Sequence, residues 1–162
     1  MNTTKPRRAT HKIPVYELRL VQSRRPLRLA EPVLPDSRTS ARAIYGLIGL
    51  TDREHFVVLF LNGLHAVTGA HIAAIGGQHG ISGIDPRGIL RAGLASCSSA
   101  MVLGHNHPSG DPTPTPEDLS TTAHLMRAAS VIAIPIVDHI IVTRIESRYH
   151  SMFEQGTLPT LD

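Results

Sequence analysis

Two histidines one residue apart, His105 and His107, are followed after ten intervening residues by Asp118. In extended backbone, side chains two residues apart project to the same side, so both imidazoles can face one point. Imidazole and carboxylate are favoured zinc ligands, and catalytic zinc sites combine three protein ligands with a fourth position for water. The chemistry such a set predicts is hydrolytic, because zinc lowers the pKa of its water to about 7 and yields a hydroxide nucleophile at neutral pH. The single cysteine, Cys97, excludes an intrachain disulfide, a Cys-based zinc cluster and the H-x-E…P-C-x-x-C pattern of zinc deaminases. The zincin pattern H-E-x-x-H is absent as well. A plainer role is open to two members of the stretch: Thr115 can cap a helix, and Asp118 can sit in its first turn and favour the dipole.

The elements around these residues follow from periodicity and punctuation. Residues 100–104 read as a strand ending at His105, which puts the cluster at a strand's carboxyl end, a favoured place for sites in α/β proteins. Four prolines and two glycines between residues 104 and 118 make the following loop stiff and sharply turned. Thr115-Pro116-Glu117-Asp118 has the form of a helix start, with Leu119, Ala123 and Met126 as its apolar stripe. Upstream, Asp36 or Ser37 caps a helix whose Ala41, Ile44, Tyr45 and Ile48 face a sheet. Residues 55–74 read as two strands joined at Asn62-Gly63, a pair that tolerates positive φ. Residues 76–84 read as loop. Asp85-Pro86 opens a short helix with Leu90, Leu94 and Cys97 on its buried face. Downstream, residues 131–137, 139–143 and about 148–153 read as strands.

The chain has 162 residues, enough for one compact domain and too few for a TIM barrel. No apolar run nears the roughly 18 residues of a membrane span, so the expectation is a soluble cytoplasmic protein. Residues 1–42 hold ten of the sixteen Lys and Arg and carry a net charge of +7, against −4 for the remainder. Residues 1–12 are expected to be a disordered basic arm. Residues 13–36 are expected to hold a strand, with Tyr16, Leu18 and Leu20 on one face, and then a linker. Residues 5–42 can approach nucleic acid, through phosphates, or an acidic protein, and the alternative is a solvated, solubilising segment. With 4% aromatics and no Trp, a base-stacking platform for single strands is excluded.

The stretch HNHPSGDPTPTPED, residues 105–118, resembles the H-x-H-x(7)-S-x-x-D motif of the JAMM (JAB1/MPN) metalloproteases, in particular their RadC-like branch. The likeness continues at residues 53–59 and at Asp138-His139-Ile140-Ile141. It implies an α/β MPN domain over residues 37–162, with a cytidine-deaminase-like mixed sheet and flanking helices, binding one Zn2+ through His105, His107 and Asp118. It further implies that Glu54 is the general base and then acid, and that Thr115, at the family's serine position, is an oxyanion donor. The implied activity is hydrolysis of a peptide, isopeptide or other amide bond in a peptide or protein substrate. The alternative is an accessory module that binds nucleic acid or protein through the basic segment, with a structural or vestigial metal site. Asp85-Pro86-Arg87-Gly88 and the glycine-rich stretch 76–80 depart from the branch's usual pattern. Nothing in residues 1–50 resembles the helix-hairpin-helix region of longer members. Asp138 and His139 read as packing or strand-end residues, with support for a ligand imidazole as the alternative.

Overall fold

A computed structural model describes residues 14–161 apart from 16, 18, 24, 25, 30 and 77–82. Its elements run α1 (Ser37–Ile48), β1 (His55–Leu61), β2 (Val67–Ile75), α2 (Pro86–Ala95), β3 (Ala100–Asn106), α3 (Pro116–Val131), β4 (Ile136–Val142) and β5 (Tyr149–Ser151). The five strands form one mixed sheet in the order β2-β1-β3-β4-β5. Only β3 and β4 are parallel, and α3 supplies the crossover that a parallel pair requires.

The period-2 alternation of β1 divides the core between the two faces of the sheet. Val57, Leu59 and Leu61, with Val102, Ile140 and Val142, meet Ala41, Ile44 and Ile48 of α1. Phe56, Val58 and Phe60, with Met101 and Leu103, meet Ile89 of α2 and Leu125 and Ala129 of α3. Gly104 stands on the α1 face, where a Cβ would lie 2.6 Å from Ile44 Cδ1. Its neighbour His105 therefore faces α3. The expected stripe of α1 is the observed one, and Asp36 caps the helix by accepting from the Thr39 N–H at 2.7 Å.

Several expectations are corrected. The described residues between 14 and 21 form no strand, and Val15, Leu20 and Val21 are exposed; Tyr16, Leu18 and residues 1–13 lie outside the described residues. Alternation prepares a strand but needs a sheet edge to pair with, and among the described residues before α1 the bridge to the sheet comes later, an isolated one from Val33 to Ala66. The β1–β2 connection is wider than an Asn-Gly turn. The Asn62 side chain accepts from the Leu64 and Ala66 N–H groups, and His65, not Gly63, takes positive φ at 56°. In α2 the buried residues are Ile89 and Gly93, while Leu94 and Cys97 are exposed. The helix approaches through a glycine, whose absent side chain leaves room for Met101 and escapes any count of apolar residues. The buried face of α3 is Thr122, Leu125 and Ala129. Val131 ends that helix and Ala133 turns at φ 55°, so residues 131–135 are not strand and β4 begins at Ile136.

Candidate metal centre

At its carboxyl end β3 alternates as β1 does, so His105 and Asn106 point to opposite faces. Asn106 holds the segment before β1. Its Oδ1 accepts from the His55 N–H at 2.7 Å, and its Nδ2 donates to Thr51 Oγ1 at 3.1 Å and to the Arg53 carbonyl at 3.0 Å. Glu54, between those anchors, also accepts at its carbonyl from the Gly76 N–H at 2.8 Å. Past the strand, the His107 N–H donates to the Val142 carbonyl at 2.9 Å, which keeps that residue in the sheet's register. His105 and His107 thus stand on the same side.

The proline-rich loop then turns at Gly110, φ 88°, where backbone without a Cβ is favoured. The Asp111 carboxylate accepts from Thr113 N–H and Oγ1–H at 3.0 and 2.7 Å, bonds that lower its pKa and close the turn. The Asp111 carbonyl lies 2.8 Å from His107 Nδ1. Because a carbonyl only accepts, Nδ1 carries the ring proton and Nε2 is left with a lone pair. At the start of α3, Thr115 Oγ1 accepts from the Asp118 N–H at 3.2 Å, while Asp118 Oδ2 accepts from Thr115 N–H and Oγ1–H, both at 2.8 Å. This is a reciprocal capping box. Pro116 fills the first helical position, where the missing N–H costs nothing.

These supports bring three groups together. His105 Nε2 and His107 Nε2 lie 2.9 Å apart; Asp118 Oδ1 is 3.2 Å from the first and Oδ2 is 3.5 Å from the second. One ligand atom from each residue fits within a 4.8 Å cluster. Both histidines are buried, and Phe56 stacks on the His105 ring with centroids 6.1 Å apart. Burial raises the Asp118 pKa, but the two imidazoles beside it, which donate through Nε2 when the rings are charged, outweigh it and hold the carboxyl well below the usual carboxylate range. Burial lowers the His107 pKa; Asp118, the Asp111 carbonyl and the charge of Glu54 more than reverse this. Two imidazole nitrogens and a carboxylate converging on one point are a donor set suited to zinc. The residues present therefore fit the metal that the resemblance implies.

His105, His107 and Asp118 converge as expected, and Thr115 touches Asp118 directly. Glu54 is half-buried, and its charge reaches His107. Three residues behind the cluster carry roles that periodicity did not single out. Asn106 anchors the Glu54 segment. His139, fully buried, places Nε2 2.8 Å from His105 Nδ1 and Nδ1 2.5 Å from Thr122 Oγ1. Burial, and then His105, push its pKa well below the ordinary imidazole value. The visible signal for His139 was positional: it lies two residues along β4 from Ile141, which pairs with His105, and so shares that face. Asp138 has the structural role instead. Its carboxylate accepts from Ser151 Oγ at 2.6 Å and from the His139 and Phe153 N–H groups, tying β4 to β5 and the turn beyond.

Comparison with known proteins gives the same assignment for the domain. Residues 36–157 match the family model described as RadC-like JAB domain. A UPF0758 protein of Shouchella clausii is 34% identical over 137 residues, covering 85% of this chain and 58% of that protein. A UPF0758 protein of Carboxydothermus hydrogenoformans is 40% identical over 105 residues, 65% of this chain and 45% of its own. One from Listeria welshimeri is 40% identical over 104 residues, 64% and 45% respectively. The chain spans about half the length of the curated relatives it matches. Among the described residues no helix is long and apolar enough to cross a membrane. With its mixed five-stranded sheet, its His-His-Asp cluster and this match over most of its length, the chain belongs to the RadC-like JAB domain family.

Proposed function

We propose that the domain is a zinc-dependent hydrolase of peptide, isopeptide or other amide bonds, with His105, His107 and Asp118 holding one ion. The observation that carries this reading is the convergence of two imidazole Nε2 atoms and a carboxylate at the end of β3. When bound, zinc supplies a Lewis acid and lowers the pKa of its water to about 7. Glu54 takes the proton of the attacking water and later delivers it to the departing nitrogen, as a general base and then general acid. Its support is its place beside β1 and its electrostatic reach to His107. Thr115 donates its hydroxyl proton to the oxyanion that forms at the carbonyl. That proton points at Asp118 Oδ2 in the free site, so the oxyanion role requires the hydroxyl to rotate away from the carboxylate.

Elemental analysis and a screen of peptide and isopeptide substrates test this directly. Wild type is expected to hold about one zinc per chain, and Asp118→Ala and His107→Ala to lose the metal and turnover together. Glu54→Gln should keep the zinc and lose turnover by at least the 10²–10⁴-fold that proton transfer contributes. Hydrolysis retained in Glu54→Gln overturns the role given to that residue. Wild type that stays metal-free when zinc is supplied overturns the hydrolase, and leaves salt-sensitive association through residues 5–42 as the property to measure.

A further inference from the structure

Behind the cluster, four groups form a continuous buried chain that begins and ends on metal-site residues. Thr122 Oγ1 lies 2.6 Å from the Asp118 carbonyl and 2.5 Å from His139 Nδ1; His139 Nε2 lies 2.8 Å from His105 Nδ1. His139 and Thr122 are both fully buried, out of reach of bulk solvent. The direction of every bond follows from proton counting. A backbone carbonyl accepts only, and a threonine hydroxyl has one proton, so Thr122 donates it to Asp118. The other neighbour of that hydroxyl, Met152 Sδ at 3.8 Å, is a weak acceptor and does not compete. Thr122 is then left to accept, and His139 Nδ1 must carry the proton it receives. His139 Nε2 therefore bears a lone pair, His105 Nδ1 carries the next proton, and His105 Nε2 is bare toward the cluster.

The opposite assignment would leave two oxygens 2.6 Å apart with no proton between them. It would also put an N–H on His105 Nε2, which could then donate to His107 or Asp118 but could not ligate a metal. His107 obtains the same result from a single local bond, its Nδ1–H to the Asp111 carbonyl. Among the described residues His105 Nδ1 has no carbonyl at that distance, and a neutral histidine takes the place of one. A histidine bound to metal through one nitrogen ordinarily donates the other N–H to a carbonyl, carboxylate or water. An imidazole can do so only if its own proton is fixed elsewhere.

We infer that His139 is a positioning residue that fixes His105 as the Nδ1–H tautomer, and that Thr122 sets His139 by anchoring on the Asp118 carbonyl one helical turn away. The inference rests on the metal reading above for its consequence, though not for its geometry. Asp118 then contributes twice: its carboxylate faces the ion's place, and its peptide carbonyl orders the proton chain that readies His105.

Two-bond 1H–15N correlation spectra of the metal-free protein, recorded well above the ordinary imidazole pKa, report each histidine's tautomer. Zinc dissociation constants from competition with a chromophoric chelator report the consequence. Wild type should show His105 and His139 both as Nδ1–H. Thr122→Val keeps the shape but removes the hydroxyl, so His105 should shift toward Nε2–H and zinc affinity should fall about 10-fold or more. Thr122→Ser should restore both readouts. His139→Leu fills the space without an acceptor and should weaken zinc about 10–100-fold. His139→Gln, whose amide can accept from His105 and donate to Thr122, should recover most of that loss. A wild-type spectrum with His105 as Nε2–H overturns the inference, even where a variant fails to fold. So does Thr122→Val with tautomer and affinity both within twofold of wild type. If wild type binds no zinc, the metal reading fails while the metal-free spectra still decide this one.

Discussion

The carboxyl ends of β3 and β4 and the stretch from residue 14 to residue 33 are both rich in polar side chains, and they are built in opposite ways. At the strand ends, His105, His107 and His139 are buried among Phe56, Thr122 and the capping box, and their ring nitrogens have neighbours within hydrogen-bond distance. Among the described residues no buried side-chain nitrogen or oxygen lacks a partner. In the amino-terminal stretch, Glu17 and Arg19 pair with each other while their side chains remain 74% and 79% exposed. An exposed ion pair contributes about 0–1 kcal/mol and orients little. A desolvated hydrogen bond whose loss leaves an orphaned group costs about 1–3 kcal/mol, so it fixes which nitrogen carries the proton. The same residue types thus make a geometry in one place and a solvated surface in the other.

The contrast breaks most easily where the ordered end has no slack. Gly104 precedes His105, and a Cβ there would meet three atoms of the Ile44 side chain at 2.6–2.9 Å. Ile44 is fully buried and cannot swing aside. Gly104→Val is expected to destabilise the chelated protein by about 2 kcal/mol, the cost of overpacking a core, and to displace His105. Urea unfolding measures the first effect and zinc affinity the second. A stable Gly104→Val protein with wild-type affinity would show that this end tolerates displacement after all.

A smaller effect separates the two functions of Asp118. Its Oδ2 accepts from both Thr115 donors, so the carboxylate holds the start of α3 whether or not an ion is present. Asp118→Ala is expected to cost about 1 kcal/mol in the presence of chelator, the usual loss for a broken capping interaction. Unchanged metal-free stability would mean that the residue serves the ion alone.

How far the sequence led differs along the same line. The convergence of His105, His107 and Asp118 was legible because local rules decide it: alternation at the end of a strand, prolines that stiffen a loop, and a hydroxyl, a proline and an acid at a helix start. So was the face of α1, whose apolar residues recur at the period of a helix. What escaped depended on contacts between distant segments. Thr122 stands outside the expected stripe of Leu119, Ala123 and Met126, and its role shows only once β4 is placed beside β3 and His139 comes to rest against it. Gly93 packs closely because it lacks a side chain, so no hydrophobic pattern marks it. Glu54 stood on resemblance, since its neighbourhood is set by Asn106, 52 residues further along the chain.

The amino-terminal stretch was misread for the complementary reason, and it sets the smallest effect. Its alternation of apolar and polar residues is a property that 14–21 could share with a paired strand, but pairing requires an edge that accepts it in register. Val15 and Val21 are 95% and 91% exposed and Leu20 is 60% exposed, so little apolar surface is withdrawn from water by their side chains. Burial of a full Leu or Val side chain yields about 1.5–3 kcal/mol; the two valines gain almost none of it and Leu20 only the smaller part. Val15→Ser, Leu20→Ser and Val21→Ser are each expected to change stability by less than about 0.5 kcal/mol, the range of ordinary surface substitutions. Unfolding of the chelated proteins in urea measures the difference. A loss near 2 kcal/mol at any one of them would mean that this stretch does pair or pack in solution, and the packed part of the domain would extend toward residue 14.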